Sequence, residues 1–164
     1  MVEKDGVWEY TTQPLPSEMY QYNFIVDGQK ITDPTSTQVV RDGVNMLNFF
    51  LVSGDRADLY RTNDVPHGTM SKVWYDSPTL GFARRMTVYT PAGYESGKTK
   101  YPVLYICHGG GNDEESWITL GKTVQIFDNL IAQGKMKPVI AVMTNGNANQ
   151  QCTSEILPSY QPAG

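Results

Sequence analysis

The stretch that decides the fold is Tyr101-Pro-Val-Leu-Tyr-Ile-Cys-His108-Gly109-Gly110-Gly111. Its apolar run, Val103 to Cys107, is typical of a strand that is buried on both faces of a parallel sheet. The run stops at a histidine and three glycines, and glycines leave the backbone N–H groups free of neighbouring side chains. N–H groups at the carboxyl end of such a strand suit the stabilisation of a developing oxyanion. We therefore expect one part of an active site at this point of the chain.

The residues on either side of this stretch predict an α/β sheet. Downstream, apolar residues recur at helical spacing between Gly121 and Lys135, and a second apolar run covers Pro138 to Met143. Strand, helix and strand in this order predict a βαβ unit, whose loops at the carboxyl ends of the parallel strands face the ligand side of the sheet. Upstream, residues 70–75 and 81–90 predict an antiparallel pair.

Composition excludes some classes of partner. The chain has 164 residues, 40% of them hydrophobic, and a formal net charge of −4. An acidic chain of this kind is not expected to bind nucleic acid or an anionic membrane surface. No stretch approaches the roughly 18 consecutive apolar residues of a membrane helix. The first residues, Met1 to Gly6, lack the apolar core of a signal peptide.

The first half of the chain reads as short strands separated by turns. Residues 19–26 alternate between two faces as one strand, and Asp27-Gly28 then gives a hairpin signal. Frequent turns between short aromatic strands predict a β-sandwich. The polar stretch 53–64 lacks periodicity and predicts a domain boundary. We therefore expect two domains, at residues 1–62 and 63–164.

A first resemblance is carried by Tyr20-x-Tyr22-x-Phe24-x-Val26-Asp27-Gly28 and by Asp33-Pro34. These residues resemble the immunoglobulin-like (E-set) modules related to family 48 carbohydrate-binding modules. The similarity begins at Gly6, part-way through such a module, and implies an incomplete immunoglobulin-like β-sandwich. By the same resemblance Trp8, Tyr20 and Tyr22 are candidates for stacking on sugar rings. The alternative is an ordinary core face, because aromatic residues at strand spacing usually pack within a sheet.

A second resemblance is carried by Arg84 to Tyr94, Tyr101 to Gly111, Trp117 and Lys137 to Met143. These residues resemble the α/β-hydrolases of the esterase-D type, carbohydrate esterase family 1. The resemblance implies the N-terminal half of an α/β-hydrolase fold after the partial immunoglobulin-like sandwich. It also implies a carboxylic ester hydrolase of the serine-esterase type that needs no cofactor. Such enzymes act on feruloylated or acetylated plant cell-wall polysaccharide and are secreted or periplasmic.

The resemblance also implies roles for single residues. In this fold the oxyanion hole takes one N–H from the loop after the third strand and one from the residue after the nucleophile. Gly109 to Gly111 are then the loop half, with Gly110 as the donor, and His108 holds the loop by hydrogen bonds. Trp117 and Asn145 are expected at the substrate site. The alternatives are a tryptophan that packs against the sheet and an asparagine that makes a turn.

The catalytic residues themselves are not in the sequence. Ester hydrolysis by this fold needs a serine on a Gly-x-Ser-x-Gly elbow, followed by an acid and a histidine. In Gly93-Tyr-Glu-Ser-Gly97 the serine stands one place late. His67 lies in the linker region and His108 in the oxyanion loop. We therefore expect the nucleophile, the acid and the base outside this chain, which would make it a fragment that is inactive alone.

A fragment of this fold is expected either to be held by contacts with other chains, including copies of itself, or to be a poorly stable monomer. In the resembled fold the strand at Val103 to Cys107 lies inside the sheet. Without one of its neighbours it exposes an unpaired, apolar edge, which invites contacts with other chains.

Two other functions remain open, a non-catalytic carbohydrate-binding module and an inactive hydrolase-like protein. The acidic run Asp113-Glu-Glu115 shows no ligand spacing to the two histidines. We interpret it as a solvated loop or as acids near a helix N-terminus, and we expect no metal site.

Overall fold

The computed structural model describes residues 1–150; residues 151–164, the end of the predicted second domain, lie outside the described part. The strands are β1 (Val2–Lys4), β2 (Val7–Glu9), β3 (Glu18–Tyr22), β4 (Phe24–Val26), β5 (Gln29–Ile31), β6 (Val39–Asp42), β7 (Asn45–Val52), β8 (Thr69–Ser77), β9 (Phe82–Thr90), β10 (Val103–Cys107) and β11 (Ile140–Thr144). The helices are α1 (Ser116–Thr119) and α2 (Thr123–Ala132), and Ala57–Leu59 form a short 3₁₀ helix.

The first half of the chain is built from antiparallel strands only. β3, β7 and β6 form a three-stranded sheet in that order, while β1 pairs with β2 and β4 pairs with β5. The strand predicted at 19–26 is therefore two strands that belong to different sheets. Asn23 lies between the two strands, and its side-chain amide donates hydrogen bonds to the carbonyls of Ile31, in β5, and Met46, in β7.

The second half contains the predicted α/β sheet. Its strand order is β10-β11-β9-β8, with β10 and β11 parallel and β9 antiparallel to both of its neighbours. Helix α2 connects β10 to β11, so the predicted βαβ unit is confirmed. The core lies between α2 and the sheet, where Tyr89 and Phe127 meet edge-on with ring centroids 5.4 Å apart. Ala141 and Met143 of β11 complete this core and are fully buried.

β10 is an edge strand, and the prediction that it is buried on both faces is wrong. Val103, Leu104 and Tyr105 are 50%, 42% and 69% exposed. The physical reason is that, within residues 1–150, β10 has a partner only on the side of β11. Its other edge presents unpaired backbone groups beside exposed apolar side chains.

The predicted linker, residues 53–64, packs against α2. Ala57 is fully buried, and the side-chain amide of Asn129 on α2 donates to the carbonyls of Leu59 and Arg61, both at 3.0 Å. Asn63 in turn donates to the side-chain oxygen of Asn129 at 2.9 Å. The connection also bonds to the first half, where the N–H of Ala57 donates to Ser17 Oγ at 3.1 Å, so it contacts both halves.

The helices of residues 1–150 are too short and too polar to cross a bilayer, and the longer of them, α2, has 10 residues.

Candidate active site

The glycine loop after β10, residues 108–111, presents free backbone amides. Among residues 1–150, no acceptor lies within hydrogen-bonding range of the N–H groups of Gly109, Gly110 and Gly111. Gly109 and Gly110 are exposed, and a Cβ atom built on either of them would meet no atom within 4 Å. Gly111 has a φ of +82°, a conformation that favours glycine. The loop therefore has N–H donors without an acceptor among residues 1–150, at the carboxyl end of a parallel strand.

His108 ties this loop to the loop after β11. Its Nε2 accepts the N–H of Gly146 at 2.8 Å, so the proton of a neutral imidazole lies on Nδ1. Nδ1 then donates to the carbonyl of Gly109 at 2.7 Å. One neutral tautomer thus satisfies both bonds, and the side chain holds the two loops together.

The acidic run that follows the loop is buried, so its interpretation as a solvated loop is wrong. The alternative, acids near a helix N-terminus, is confirmed, because the run directly precedes α1. Asp113 and Glu114 are 2% and 1% exposed. Glu114 accepts Arg85 Nε at 3.1 Å, and Glu115 accepts Arg85 Nη2 at 2.8 Å and pairs with Lys72. Glu114 and Glu115 are neutralised by cations from β8 and β9, and Asp113 by Arg41 of β6, which is what allows their burial. Within residues 1–150 no three histidine, cysteine or acidic side chains converge as they would around a metal ion.

Asn145 is part of the same buried network. It is 6% exposed, its side-chain nitrogen donates to Glu114 Oε2 at 3.0 Å, and its side-chain oxygen accepts the N–H of Asn147 at 2.9 Å. Its carbonyl accepts a hydrogen bond from buried Arg84. Both polar atoms of the Asn145 side chain are used within the protein, and contact with a substrate stays a prediction.

Trp117 of α1 lies at the end of β10. Its indole N–H donates to the carbonyl of Cys107 at 2.9 Å, immediately before the glycine loop. The side chain is 39% exposed. It therefore packs at the end of the strand and still keeps an open surface, so the geometry is compatible with both of the roles expected for it.

The aromatic candidates of the first half lie together. Trp8, Tyr20 and Tyr22 line one open groove with Phe50. Trp8 is 66% exposed, and Tyr20 stacks on Phe50 with centroids 5.6 Å apart and planes 22° apart. The hydroxyl of Tyr22 donates to Asp33 at 2.8 Å. Tyr20 and Tyr22 thus pack on the sheet, and Trp8 adds an exposed ring beside them.

Residues 77–162 of the chain match the Esterase family. The chain belongs to the esterase family. It is 35% identical over 153 residues to the endo-1,4-beta-xylanase/feruloyl esterase of Xylanibacter ruminicola, an alignment that covers 90% of this chain and 21% of that protein. It is also 34% identical over 73 residues to endo-1,4-beta-xylanase Y of Acetivibrio thermocellus, covering 44% of this chain and 7% of that protein. This esterase chain therefore spans only a small part of the length of the relatives that it matches.

Solved structures agree on the fold. The CE1 ferulic acid esterase from Anaeromyces mucronatus in complex with ferulic acid is 33% identical, with a TM-score of 0.51 over 64% of this chain and 39% of that one. The enterobactin esterase of Shigella flexneri, at 16% identity, has a TM-score of 0.50 over 73% of this chain and 29% of its own. The second likeness bears on the fold alone. The prediction of an α/β-hydrolase fold for the second half is confirmed by these two structural likenesses.

A catalytic pair is absent from the described part of this esterase. Within residues 1–150, no serine hydroxyl is hydrogen-bonded to a histidine. Ser96 donates to the carbonyl of Gly93 on an exposed loop, and His67 pairs with Asp128 of α2 at 3.1 Å.

Sequence reasoning missed one support of the glycine loop, the turn between β6 and β7. The N–H of Gly43 donates to Asn112 Oδ1 at 2.9 Å, and Arg41 pairs with Asp113 at 2.7 Å. The sequence marks Asp42-Gly43 as a hairpin turn and gives no local sign of a contact about 70 residues away.

Proposed function

We propose that this chain is part of a serine esterase that hydrolyses feruloyl or acetyl esters of plant cell-wall polysaccharide. The observation that carries the proposal is the set of N–H groups at Gly109 to Gly111 that have no acceptor among residues 1–150, with Gly109 and Gly110 exposed after the carboxyl end of β10. Membership of the esterase family and the names of the relatives, which combine xylanase and feruloyl esterase, support the substrate class.

The role of these amides follows from the chemistry of acyl transfer. When a serine oxygen attacks an ester carbonyl, the carbonyl oxygen becomes an oxyanion, and preorganised N–H donors stabilise that charge more than they stabilise the substrate. We infer that Gly110 supplies one donor and that the residue after the nucleophile supplies the other. The nucleophile, acid and base would come from polypeptide outside these residues, so the chain alone would be inactive.

His108 and the buried carboxylates would act on the loop and not on the substrate. The two hydrogen bonds of His108 connect the glycine loop to the loop after β11. Glu114 connects Arg85 on β9 to Asn145 at the end of β11. Both connections keep the carboxyl ends of β10 and β11 in one arrangement, which is what preorganised donors require. Trp117 would form one wall of the substrate site.

The first half of the chain would be an incomplete immunoglobulin-like module of residues 1–62 that helps to hold the polysaccharide. Supporting this is the groove of Trp8, Tyr20 and Tyr22, because aromatic faces stack on sugar rings. An enzyme with this substrate would work outside the cytoplasm, in a secreted or periplasmic form. If the exposed Trp8 ring contributes, Trp8→Ala will lower the fraction of protein retained on insoluble arabinoxylan in a pull-down.

The test of the esterase proposal compares two substitutions at one position. Gly110→Pro removes the proposed N–H donor, whereas Gly110→Ala keeps the donor and places its Cβ where no atom lies within 4 Å. Both are made in a polypeptide extended past Gly164 and assayed with methyl ferulate and 4-nitrophenyl acetate. Loss of one oxyanion-hole donor lowers kcat by about 10²–10³, so we expect that loss for the proline variant and near wild-type kcat for the alanine variant. Equal kcat in the two variants, or no hydrolysis by the unmodified extended polypeptide, contradicts the proposal.

A further inference from the structure

The turn between β6 and β7 is joined to the glycine loop by a reciprocal pair of hydrogen bonds. The N–H of Gly43 donates to Asn112 Oδ1 at 2.9 Å, and Asn112 Nδ2 donates to Asp42 Oδ1 at 2.9 Å. Asn112 directly follows Gly111 in the chain. Its side chain is therefore fixed in orientation by two residues of the first half.

An ion pair beside these bonds holds the next residue. Arg41 Nη2 lies 2.7 Å from each oxygen of Asp113, and Arg41 Nη1 donates to the carbonyl of Gly43 at 2.8 Å. The side chains are 19% and 3% exposed, so water screens the pair weakly. Asp113 also accepts the N–H of Glu115 at 3.0 Å. The guanidinium thus fixes the turn and the start of the segment that follows the glycine loop at the same time.

The third contact is a close approach of two backbones. A Cβ atom at Gly43 would lie 2.9 Å from the carbonyl oxygen of Gly111, closer than such atoms approach in folded proteins. On the other side of the loop, Asn147 Nδ2 donates to the carbonyl of Asn112 at 2.6 Å. The backbone of Gly111 and Asn112 therefore lies between the first half of the chain and the loop after β11.

We propose that Arg41, Asp42 and Gly43 are positioning residues for the ester hydrolysis. They set the direction of the Gly110 and Gly111 amides through Asn112, Asp113 and the Gly111 carbonyl. This inference rests on the proposed function of the same loop. It gives the first half of the chain a part in the chemical step that is separate from any binding of sugar.

Two glycine-to-alanine substitutions make a matched test. Gly43 and Gly28 both follow an aspartate in a hairpin turn and have φ angles of +59° and +80°. A Cβ at Gly28 would meet nothing within 4 Å. Both variants have the strain of alanine at positive φ. Only Gly43→Ala places a Cβ atom in steric conflict with the glycine loop.

Kinetics with methyl ferulate in the extended polypeptide separate the two effects. A misplacement of about 1 Å can lower the rate about 100-fold, and a shift of a few tenths of an ångström should cost less. We expect Gly43→Ala to lower kcat about tenfold or more with KM nearly unchanged, and Gly28→Ala to keep wild-type kcat. In ¹⁵N–¹H spectra the amide signals of Gly109 to Gly111 should move in Gly43→Ala and stay in place in Gly28→Ala.

Arg41→Lys supplies a second variant in case Gly43→Ala does not fold. It keeps the charge, but a single ammonium cannot bridge Asp113 and the Gly43 carbonyl as Nη2 and Nη1 of the guanidinium do, so kcat should fall while KM holds. Its control is Arg56→Lys, because the pair of Arg56 with Glu18 is on the surface. If the unmodified polypeptide hydrolyses the ester and the variants match their controls in kcat, the inference is overturned and the proposed function stands. If the unmodified polypeptide has no activity, the proposed catalytic role of the loop is wrong, and the inference is wrong as well.

Discussion

The hydroxyl of Tyr89 offers a sharp test of how the second half is held together. Tyr89 is fully buried on β9, and its hydroxyl donates to Asp128 Oδ1 on α2 at 2.7 Å. The other oxygen of Asp128 lies 3.1 Å from His67 Nδ1, and Oδ1 also accepts the N–H of Gly68 at 2.9 Å. Burial, and the hydrogen bond and charge of Asp128, raise the pKa of Tyr89 far above its ordinary value. The hydroxyl is therefore a donor at every working pH.

Tyr89→Phe removes this one oxygen and keeps the edge-on contact with Phe127. A hydrogen bond to a charged group contributes about 1.5–3 kcal/mol to stability. Asp128 retains Gly68 and His67 as partners, so the carboxylate is not left alone, and we expect a loss of about 2 kcal/mol. For a chain of this size that corresponds to a fall in Tm of about 4–8 °C.

The assay is urea unfolding followed by circular dichroism, with a thermal melt beside it. The control is Tyr10→Phe, because Tyr10 is 70% exposed and its hydroxyl has no hydrogen-bond partner among residues 1–150. The Tyr10→Phe variant should have the same free energy of unfolding as the wild type. A Tyr89→Phe variant whose unfolding free energy lies within about 0.5 kcal/mol of wild type, the range of ordinary surface substitutions, would refute the reasoning.

Three further predictions concern charge and exposure. Glu114→Gln removes one buried charge opposite Arg85, which keeps Glu115 as a partner, and should lower the free energy of unfolding in urea by about 2 kcal/mol; an unchanged midpoint would contradict this. Hydrogen bonds from Thr35 lower the pKa of Asp33 below its ordinary value of 3.8. The ionised carboxylate therefore stabilises the folded protein at neutral pH. This stability is lost as the pH falls from about 3.8 through the lower pKa of the folded state. In Asp33→Asn the free energy of unfolding should not show this loss at acid pH. A variant whose stability falls with pH in parallel with wild type would contradict the role of Asp33. Leu104→Lys on the exposed edge strand should reduce concentration-dependent association in size-exclusion chromatography with light scattering, whereas a wild type that stays monomeric at every concentration would argue against association through β10.

The βαβ unit could be predicted from the sequence because its signals are local. Apolar runs and helical spacing depend only on residues close together in the chain, and they place β10, α2 and β11 correctly to within three residues. Burial could not be predicted in the same way. The exposure of Val103 to Tyr105 depends on which strands stand beside β10, and no pattern within the run encodes that.

The supports of the glycine loop could not be predicted for a similar reason. Asp113 and Glu114 look like solvated acids in a polar segment, yet their partners Arg41 and Arg85 lie 72 and 29 residues away in the sequence. In the sequence Asn145 looks like an ordinary turn residue, whereas in the structure its side-chain amide is buried. Where the sequence did point to the loop, the signal was chemical, three glycines directly after an apolar strand.

The docking of residues 53–63 on α2 determines where the polypeptide can be divided. A shortened protein that begins at Asp64 would lose the Leu59 and Arg61 carbonyls that accept the buried Asn129 amide. An orphaned buried donor costs about 1–3 kcal/mol, and the space vacated by Ala57 adds to that loss. A cut just before Ser53 keeps these contacts with α2 but removes Arg41, Asp42 and Gly43, which bond to Asn112 and Asp113, so a chimera that exchanges the first half must supply a turn that repeats those bonds.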